Sequence, residues 1–259
     1  MSDLDVRTDD DGITRVTLCR PERHNALDRS LIDHLHNTLA RLDHNTRVLV
    51  LAGRGKSFCA GADIDWMRDS ASLSSQENAG DAMALSALLE TLDMLPCTTI
   101  ARVHGAAIGG GAGLIACCDI AVADEDTRFA FSEVRVGLIP ATISPYVVRA
   151  VGPSTARRWF LSGEPFSALE AYHSGLVHDI CPPSDLDRNV RNRLDALLAG
   201  GSAAQRAIKK LIQDVTARPV DTTMQRDLAQ RLAEVRAGSE AQEGLAAFQE
   251  RRRPRWRRR

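Results

Sequence analysis

The sequence predicts an α/β fold with parallel strands, followed by a helix-only C-terminal segment. Three observations carry this expectation. Short β-type runs alternate with helical runs, without an obvious long linker, as far as about residue 200; such alternation places parallel strands in a sheet with helices across its faces. From "GGSAAQRAIKKLIQDV" onward every run is helical in character, through "TTMQRDLAQRLAEVRAG" and "SEAQEGLAAFQERRR". Twice, between strand and helix, the chain passes through turns of very small residues, "KSFCAGADI" and "HGAAIGGGAGLIACCD". The expected boundary is Gly200–Gly201, with an α/β core over residues 1–200 and a helical segment with an arginine-rich tail over 201–259.

Taken in order, "ITRVTLCR" (13–20) alternates apolar Val16 and Leu18 and reads as a strand. "SLIDHLHNTLARLDHN" sets Leu31, Leu35, Leu39 and Leu42 at helical spacing, with Ser30 as the expected N-cap. "VLVLAG" (48–53) is a short apolar run of strand type. Segment 66–83, "WMRDSASLSSQENAGDAM", is polar and serine-rich and reads as loop or irregular helix. "AMALSALLETLDML" (82–95) is helical and stops at Pro96. "TTIARVHG" follows as a strand, the glycine cluster opens a helix running to about Cys118, and "DIAVAD" is the next strand. No internal repeat is evident.

Composition narrows the class. With 44% hydrophobic and 26% charged residues, the chain reads as an ordinary soluble protein. No apolar run approaches the roughly 18 residues of a membrane span. The start "MSDLDVRTDDDG" carries five aspartates and one arginine, the wrong sign for a secretory or mitochondrial leader. Six cysteines (Cys19, Cys59, Cys97, Cys117, Cys118, Cys181) form no C-x-x-C pair and read as buried free thiols of a cytoplasmic protein. His34, His36 and His44 lack ligand spacing, so no metal is expected. The net charge is −1, yet seven of the last nine residues, "RRRPRWRRR", are arginine; without those seven charges the body carries −8. Such a tail can bind phosphates, with Trp256 stacking on a base, but the acidic body makes nucleic acid the lesser expectation and the tail a solvated extension.

The glycine cluster decides the function class. Gly109, Gly110, Gly111 and Gly113 fall within five positions. "GRGKS" (53–57) is no phosphate loop, because the first glycine of G-x-x-x-x-G-K-[ST] would fall on Val50. Gly111, Gly113 and Ala116 can be fitted to a dinucleotide fingerprint, but the only acidic partner at the right distance, Glu133, follows a phenylalanine-rich segment instead of closing a strand. The alternative uses the backbone: glycines admit a ligand close to the main chain, and a helix starting at Gly110–Gly111 points free N–H groups at it. A carbonyl oxygen that turns negative in a transition state is stabilised by such donors. The second small-residue turn, Lys56 to Ile64, supplies the other donor.

"PERHNALD" (21–28), "FCAGADI" (58–64), "VHGAAIGGGAGLIACCDIAVA" (103–123), "SEVRVGLIP" (132–140) and "EGLAAFQERRRP" (243–254) occur in that order. Together they resemble the crotonase, or enoyl-CoA hydratase/isomerase, superfamily, over about residues 10–254. The resemblance implies a spiral of repeated ββα units, a helical C-terminal segment that drives trimerisation, and trimers that pair into hexamers. It implies an acyl-CoA thioester as substrate, whose carbonyl oxygen is held by the N–H groups of Ala62 and Gly110. Residues Ala60–Ile64 and the backbone near Arg23 and His24 then line the CoA cleft, and Lys56 meets the CoA phosphates. Phe248 and Arg251 match positions that reach the CoA of a neighbouring subunit. Asp63 lies among the cleft residues and reads as a turn-stabilising carboxylate. No cofactor is implied beyond the CoA of the substrate.

Hydratases of this family often use two glutamates. Here the first position is Gly113 and only the second, Glu133, is a carboxylate. Glu133 lies among Phe129, Phe131, Val134 and Val136, an apolar setting that raises a carboxyl toward neutrality. It is the expected acid/base. A single glutamate is similar to Δ3,Δ2-enoyl-CoA isomerases. Yet "SEVRVGLIPATISPYVVRAVG" together with Gly113 resembles bacterial methylglutaconyl-CoA hydratases, whose substrate brings its own carboxylate for Arg135 or Arg149 to position. His104 is expected on a strand in a structural role.

Overall fold

In a computed structural model, residues 2–216 and 218–257 are described. The elements run β1 (Leu4–Thr8), β2 (Ile13–Leu18), α1 (Arg29–Ala40), β3 (Val48–Gly53), α2 (Ile64–Ser70), α3 (Ser75–Asp93), β4 (Thr98–Val103), β5 (Ala106–Ile108), α4 (Gly110–Ala116), β6 (Ile120–Asp124) and β7 (Arg128–Ala130). They continue with α5 (Ser144–Ser162), β8 (Pro165–Ser167), α6 (Ala168–Ser174), β9 (Asp179–Cys181), α7 (Leu186–Ala199), α8 (Ser202–Thr216), α9 (Thr222–Ala237) and α10 (Ser239–Gln249).

Six strands form one sheet in the order β1-β2-β3-β4-β6-β9, parallel throughout apart from the β1–β2 hairpin. A smaller sheet, β5-β7-β8, stands beside it, and an isolated bridge from Cys59 to Ala107 extends it. The chain therefore visits the large sheet, then the small one, then a helix, three times: β3 with Cys59 and α2, β4 with β5 and α4, β6 with β7 and α5. This is the repeated ββα winding the sequence resemblance implies.

The period of two along each strand splits the apolar residues between the two faces of the large sheet. Leu49 and Leu51 join Leu31, Leu35, Leu88, Leu92 and Leu114 under α1, α3 and α4. Val48 and Val50 face the other way and meet Leu186, Val190 and Leu194 of α7. A strand buried on both faces has no polar alternation, which is why "VLVLAG" is continuously apolar.

Three expectations are corrected. Helix α1 is capped by Asp28, whose carboxylate accepts the Leu31 N–H at 2.8 Å, and Ser30 already lies inside the first turn. Segment 66–83 holds the end of α2 and the front of α3, where Ser74 and Glu77 form a capping box; the front of α3 is exposed, so no apolar period announces it. The aspartate-rich start, read above only for its charge, contains β1. Finally, the arginine tail is folded back as far as residue 257, while residues 258 and 259 lie outside the described residues. Arg252 pairs with Glu243 and Glu250, and Trp256 lies against Gly244 and donates its indole N–H to Ala199 O at 3.2 Å.

The C-terminal helices are pinned at the amino ends of the parallel strands. Lys209 donates to Asp119 at 2.8 Å just ahead of β6, and Arg47, just ahead of β3, donates to the carbonyls of Leu198 and Gly200. The opposite, carboxyl-end edge is left to the two small-residue turns.

Candidate active site

The turn after β3 and the turn after β4 lie side by side. Cys59 N–H donates to Ala106 O at 3.1 Å, and Ile108 N–H returns a bond to Cys59 O at 3.0 Å. Leu27 locks the same turn from the other side, donating to Gly61 O at 2.7 Å and accepting from Asp63 N–H at 2.8 Å. The approach admits only glycine at Gly111, where a Cβ would stand 2.4 Å from Cys59 O. Gly109 has φ +49 and turns the chain into α4, whose first residue is Gly110. Among the described residues, no protein acceptor takes the N–H of Ala62 or of Gly110. Two unspent donors on adjoining turns are the result. Cys59, between them, is not a nucleophile: burial pushes its thiol up to about 12.

Glu133 comes to these donors from the 3-10 turn Glu133–Val136 that follows β7. Its Oε1 would lie 2.8 Å from a Cβ on Gly109, so the carboxylate rests directly against the glycine turn. Its Oε2 is buried without a hydrogen-bond partner. Burial pushes the carboxyl above its ordinary value. Of the apolar residues expected around it, Phe129 and Phe131 are fully buried, the latter in an aromatic cluster with Trp159, Phe160 and Phe166. Val134 and Val136 instead face outward, because a 3-10 turn presents its side chains to three sides.

Around the first turn, Asp63 is buried and caps α2 by accepting the N–H groups of Asp65 and Trp66. Arg23 at 2.8 Å and Arg20 at 3.4 Å also donate to it. Its carboxylate is thus committed to holding the turn. His24 adopts a left-handed conformation, accepts Ala60 N–H at its carbonyl, and places Nδ1 3.0 Å from Ser57 Oγ. Lys56 and Ile64 are exposed on the rim, and Ala60 lies between them in a half-buried position. Arg23, His24, Lys56, Ala60, Asp63 and Ile64 are therefore brought to one edge.

Phe248 and Arg251 are not brought there within this chain. Both belong to the segment anchored near Ala199 and Arg47, at the amino ends of the strands, and Phe248 is 83% exposed. His104 lies one residue past β4, where its Nε2 bonds Gly55 O at 2.9 Å, a structural role. Arg149 is engaged by Asp93.

Sequence reasoning missed two residues. Asn25 is fully buried and donates to the carbonyls of Arg54 and Ser57 while accepting Arg20 N–H, which shapes the loop carrying Lys56. Its signal, a polar residue inside "PERHNALD", was present. Ile143 occupies the space in front of Gly113, where a Cβ would meet Ile143 Cγ2 at 2.3 Å; nothing local in the sequence announces that contact.

The family model described as enoyl-CoA hydratase/isomerase matches residues 8–259. The 2,3-dehydroadipyl-CoA hydratase of Escherichia coli K12 is 34% identical over 249 residues, covering 92% of each chain. Enoyl-CoA hydratase ACTT6 of Alternaria alternata is 35% identical over 247 residues, covering 92% of this chain and 78% of its own. The crystal structure of an enoyl-CoA hydratase from Shewanella pealeana superposes with a TM-score of 0.94 at 39% identity, covering 98% of this chain and 96% of that one. Pseudomonas aeruginosa AtuE does so at 0.94 and 33%, covering 99% and 100%. A ββα spiral with paired glycine turns, matched along nearly its whole length by these relatives, makes the chain a member of the enoyl-CoA hydratase/isomerase family, the crotonase superfamily.

Proposed function

We propose that this chain is a hydratase that adds water to an α,β-unsaturated acyl-CoA thioester, with Glu133 as its acid/base. The observation that carries the proposal is Glu133 itself: a carboxylate resting on the Gly109 turn, with one oxygen buried and unpaired, beside two unspent N–H donors. The N–H groups of Ala62 and Gly110 hold the thioester oxygen as it gains negative charge. Glu133 accepts a proton from water while the water oxygen bonds to Cβ. The π electrons move to the thioester oxygen as an enolate, and the proton on Glu133 then passes to Cα. Glu133 ends as it began, and the product carries H on Cα and OH on Cβ. CoA arrives with the substrate, and Lys56 and the backbone of Arg23, His24 and Ala60–Ile64 receive it. The sequence asks for no metal or further cofactor.

The acyl group in this reading is branched and carboxylated, as in 3-methylglutaconyl-CoA. Two features support it. Arg135 sits, exposed, on the same 3-10 turn as Glu133. The Escherichia coli relative is by name a hydratase of 2,3-dehydroadipyl-CoA, an acyl chain that also ends in a carboxylate. Phe248 and Arg251 serve a neighbouring copy in a homotrimer or hexamer, consistent with their exposure. The free, mostly buried cysteines fit a cytoplasmic setting.

Gly113 favours one second reading, a Δ3,Δ2-enoyl-CoA isomerase in which Glu133 alone moves a proton along the acyl chain. Crotonyl-, 3-methylcrotonyl-, 3-methylglutaconyl- and 3-enoyl-CoA in oxygen-18 water separate the two by mass spectrometry. Label entering the branched carboxylated substrate, and lost in Glu133→Gln, supports hydration. Shifted double bonds without label mean isomerisation, and equal turnover of crotonyl-CoA removes the carboxylated-substrate preference.

A further inference from the structure

We propose that Gly113 and Ile143 are a mutually exclusive pair that limits the active site to one carboxylate, so that Ile143 is a positioning residue for Glu133 chemistry. The inference rests on Glu133 being the acid/base, and it adds the reason why Glu133 acts alone.

The geometry is specific. A Cβ on Gly113 would stand 2.3 Å from Ile143 Cγ2 and 2.9 Å from Ile143 Cβ, with Leu89 Cδ2 behind at 3.8 Å. A new side-chain rotamer can swing Cγ2 aside, but Cβ is fixed by the backbone. That backbone is braced. Pro140 and Pro145 restrict φ on either side. Ser144 N–H donates to Pro140 O at 3.0 Å, Ser144 Oγ donates to Ala141 O at 2.8 Å, and Val147 N–H donates to Ile143 O at 3.1 Å. Ile143 is 1% exposed, so it cannot move out into solvent. Gly113 itself lies in the first turn of α4, only three residues after Gly110.

A glycine inside a helix costs about 1 kcal/mol relative to alanine, so its presence in α4 requires a compensating gain. Here the gain is the volume taken by Ile143. Any carboxylate grown from position 113 must evict Ile143, so while Ile143 stays that position carries none. Burial is accordingly the cause that raises the Glu133 carboxyl, with no acidic neighbour contributing. The water proton taken up at Glu133 is then the one delivered to Cα, because no other carboxylate shares the work.

The test is a double-mutant cycle followed by a pH profile. Gly113→Ala is expected to lower Tm by roughly 5–10 °C through overpacking. Gly113→Ala/Ile143→Gly, which removes the Cβ as well as the Cγ2 that a methyl group at 113 would meet, is expected to lose clearly less than the two single losses combined, since the second change relieves the first. Strictly additive losses, or Gly113→Ala melting like wild type, would overturn the pairing, whichever reaction the enzyme performs. Gly113→Glu/Ile143→Gly then admits a carboxylate. Its pH profile, or its carboxyl 13C titration if turnover is lost, is expected to show a second ionisation coupled to that of Glu133, which a merely structural Ile143 would not produce. A titration identical to wild type would show that the slot does not face Glu133. The melting cycle stands apart from the hydratase assignment, so failure of one is distinguishable from failure of the other.

Discussion

Asp63 and Glu133 are two carboxylates, one beside each glycine turn, in opposite electrostatic surroundings. Asp63 is 4% exposed, and burial alone would push it up. Arg23 and the N–H groups of Trp66 and Asp65 more than offset that, and it ends below its ordinary value. Glu133 has only its own backbone N–H to set against its burial, and it ends above. Burial is common to both; the donors decide the sign. A carboxylate saturated with hydrogen bonds holds structure, whereas one left unpaired remains available to a proton.

The largest expected effect is on turnover. Glu133→Gln keeps shape and size but removes the base, and kcat should fall about 10³-fold, with the fold intact by circular dichroism. Asp63→Ala should do the converse. It leaves Arg20 and Arg23 without a shared counter-charge and uncaps α2, at a cost of about 3 kcal/mol, or roughly 6–12 °C in Tm. Asp28 still pairs with Arg20 at 2.6 Å, which keeps the loss from growing further. If Asp63→Ala melted like wild type and abolished turnover, the roles assigned to the two carboxylates would have to be exchanged.

Gly109→Ala sharpens the comparison by touching only one partner. Its φ of +49 and the 2.8 Å approach to Glu133 Oε1 mean that a methyl group displaces the carboxylate. A kcat loss of about 10–100-fold is expected with a smaller change in melting, since the positive φ alone costs about 1–2 kcal/mol.

The pH dependence of stability should run in opposite directions. Glu133 has a raised folded value, so its contribution is fully present below its ordinary value of 4.5 and is lost as pH rises through the folded one. Glu133→Gln should therefore melt above wild type at pH 7, with the gap closing below about pH 4.5. Asp63 has a lowered folded value, so its contribution is present above its ordinary 3.8 and is lost as pH falls below that. Wild type should outlast Asp63→Asn at pH 7 and lose that advantage in acid. Melts of all three proteins across pH 3–8 check both signs. The smallest effect belongs to Lys56→Ala. An exposed charge is worth at most about 1 kcal/mol, so KM should rise up to about fivefold at unchanged kcat.

Much of this was legible in one dimension. The glycine run opens a helix where expected, because a turn with positive φ and close backbone contact leaves a compositional trace. Strands buried on both faces leave continuous apolar runs, and Glu133 stands out as the acid directly after the two phenylalanines. The misses have physical causes too. The front of α3 is exposed and lacks a period, and Asp28 and Ser30 are both good caps, with only the extended backbone at Asp28 choosing between them. The arginine tail looked solvated because its partners, Glu243 and the carbonyl of Ala199, are met only on folding back.

By itself, then, the sequence determined the α/β alternation and the two small-residue turns, which follow from apolar periodicity and local backbone demands, while its resemblance to a known family pointed to the ββα winding and to Glu133 as the candidate acid/base. Only the tertiary structure decided which carboxylate is saturated and which is left unpaired, where the tail goes, and that Ile143 fills the slot before Gly113. Those depend on atoms brought together across 30 residues of chain or more, such as Gly113 with Ile143, Arg23 with Asp63 or Ala199 with Trp256, and no local pattern encodes a contact of that kind.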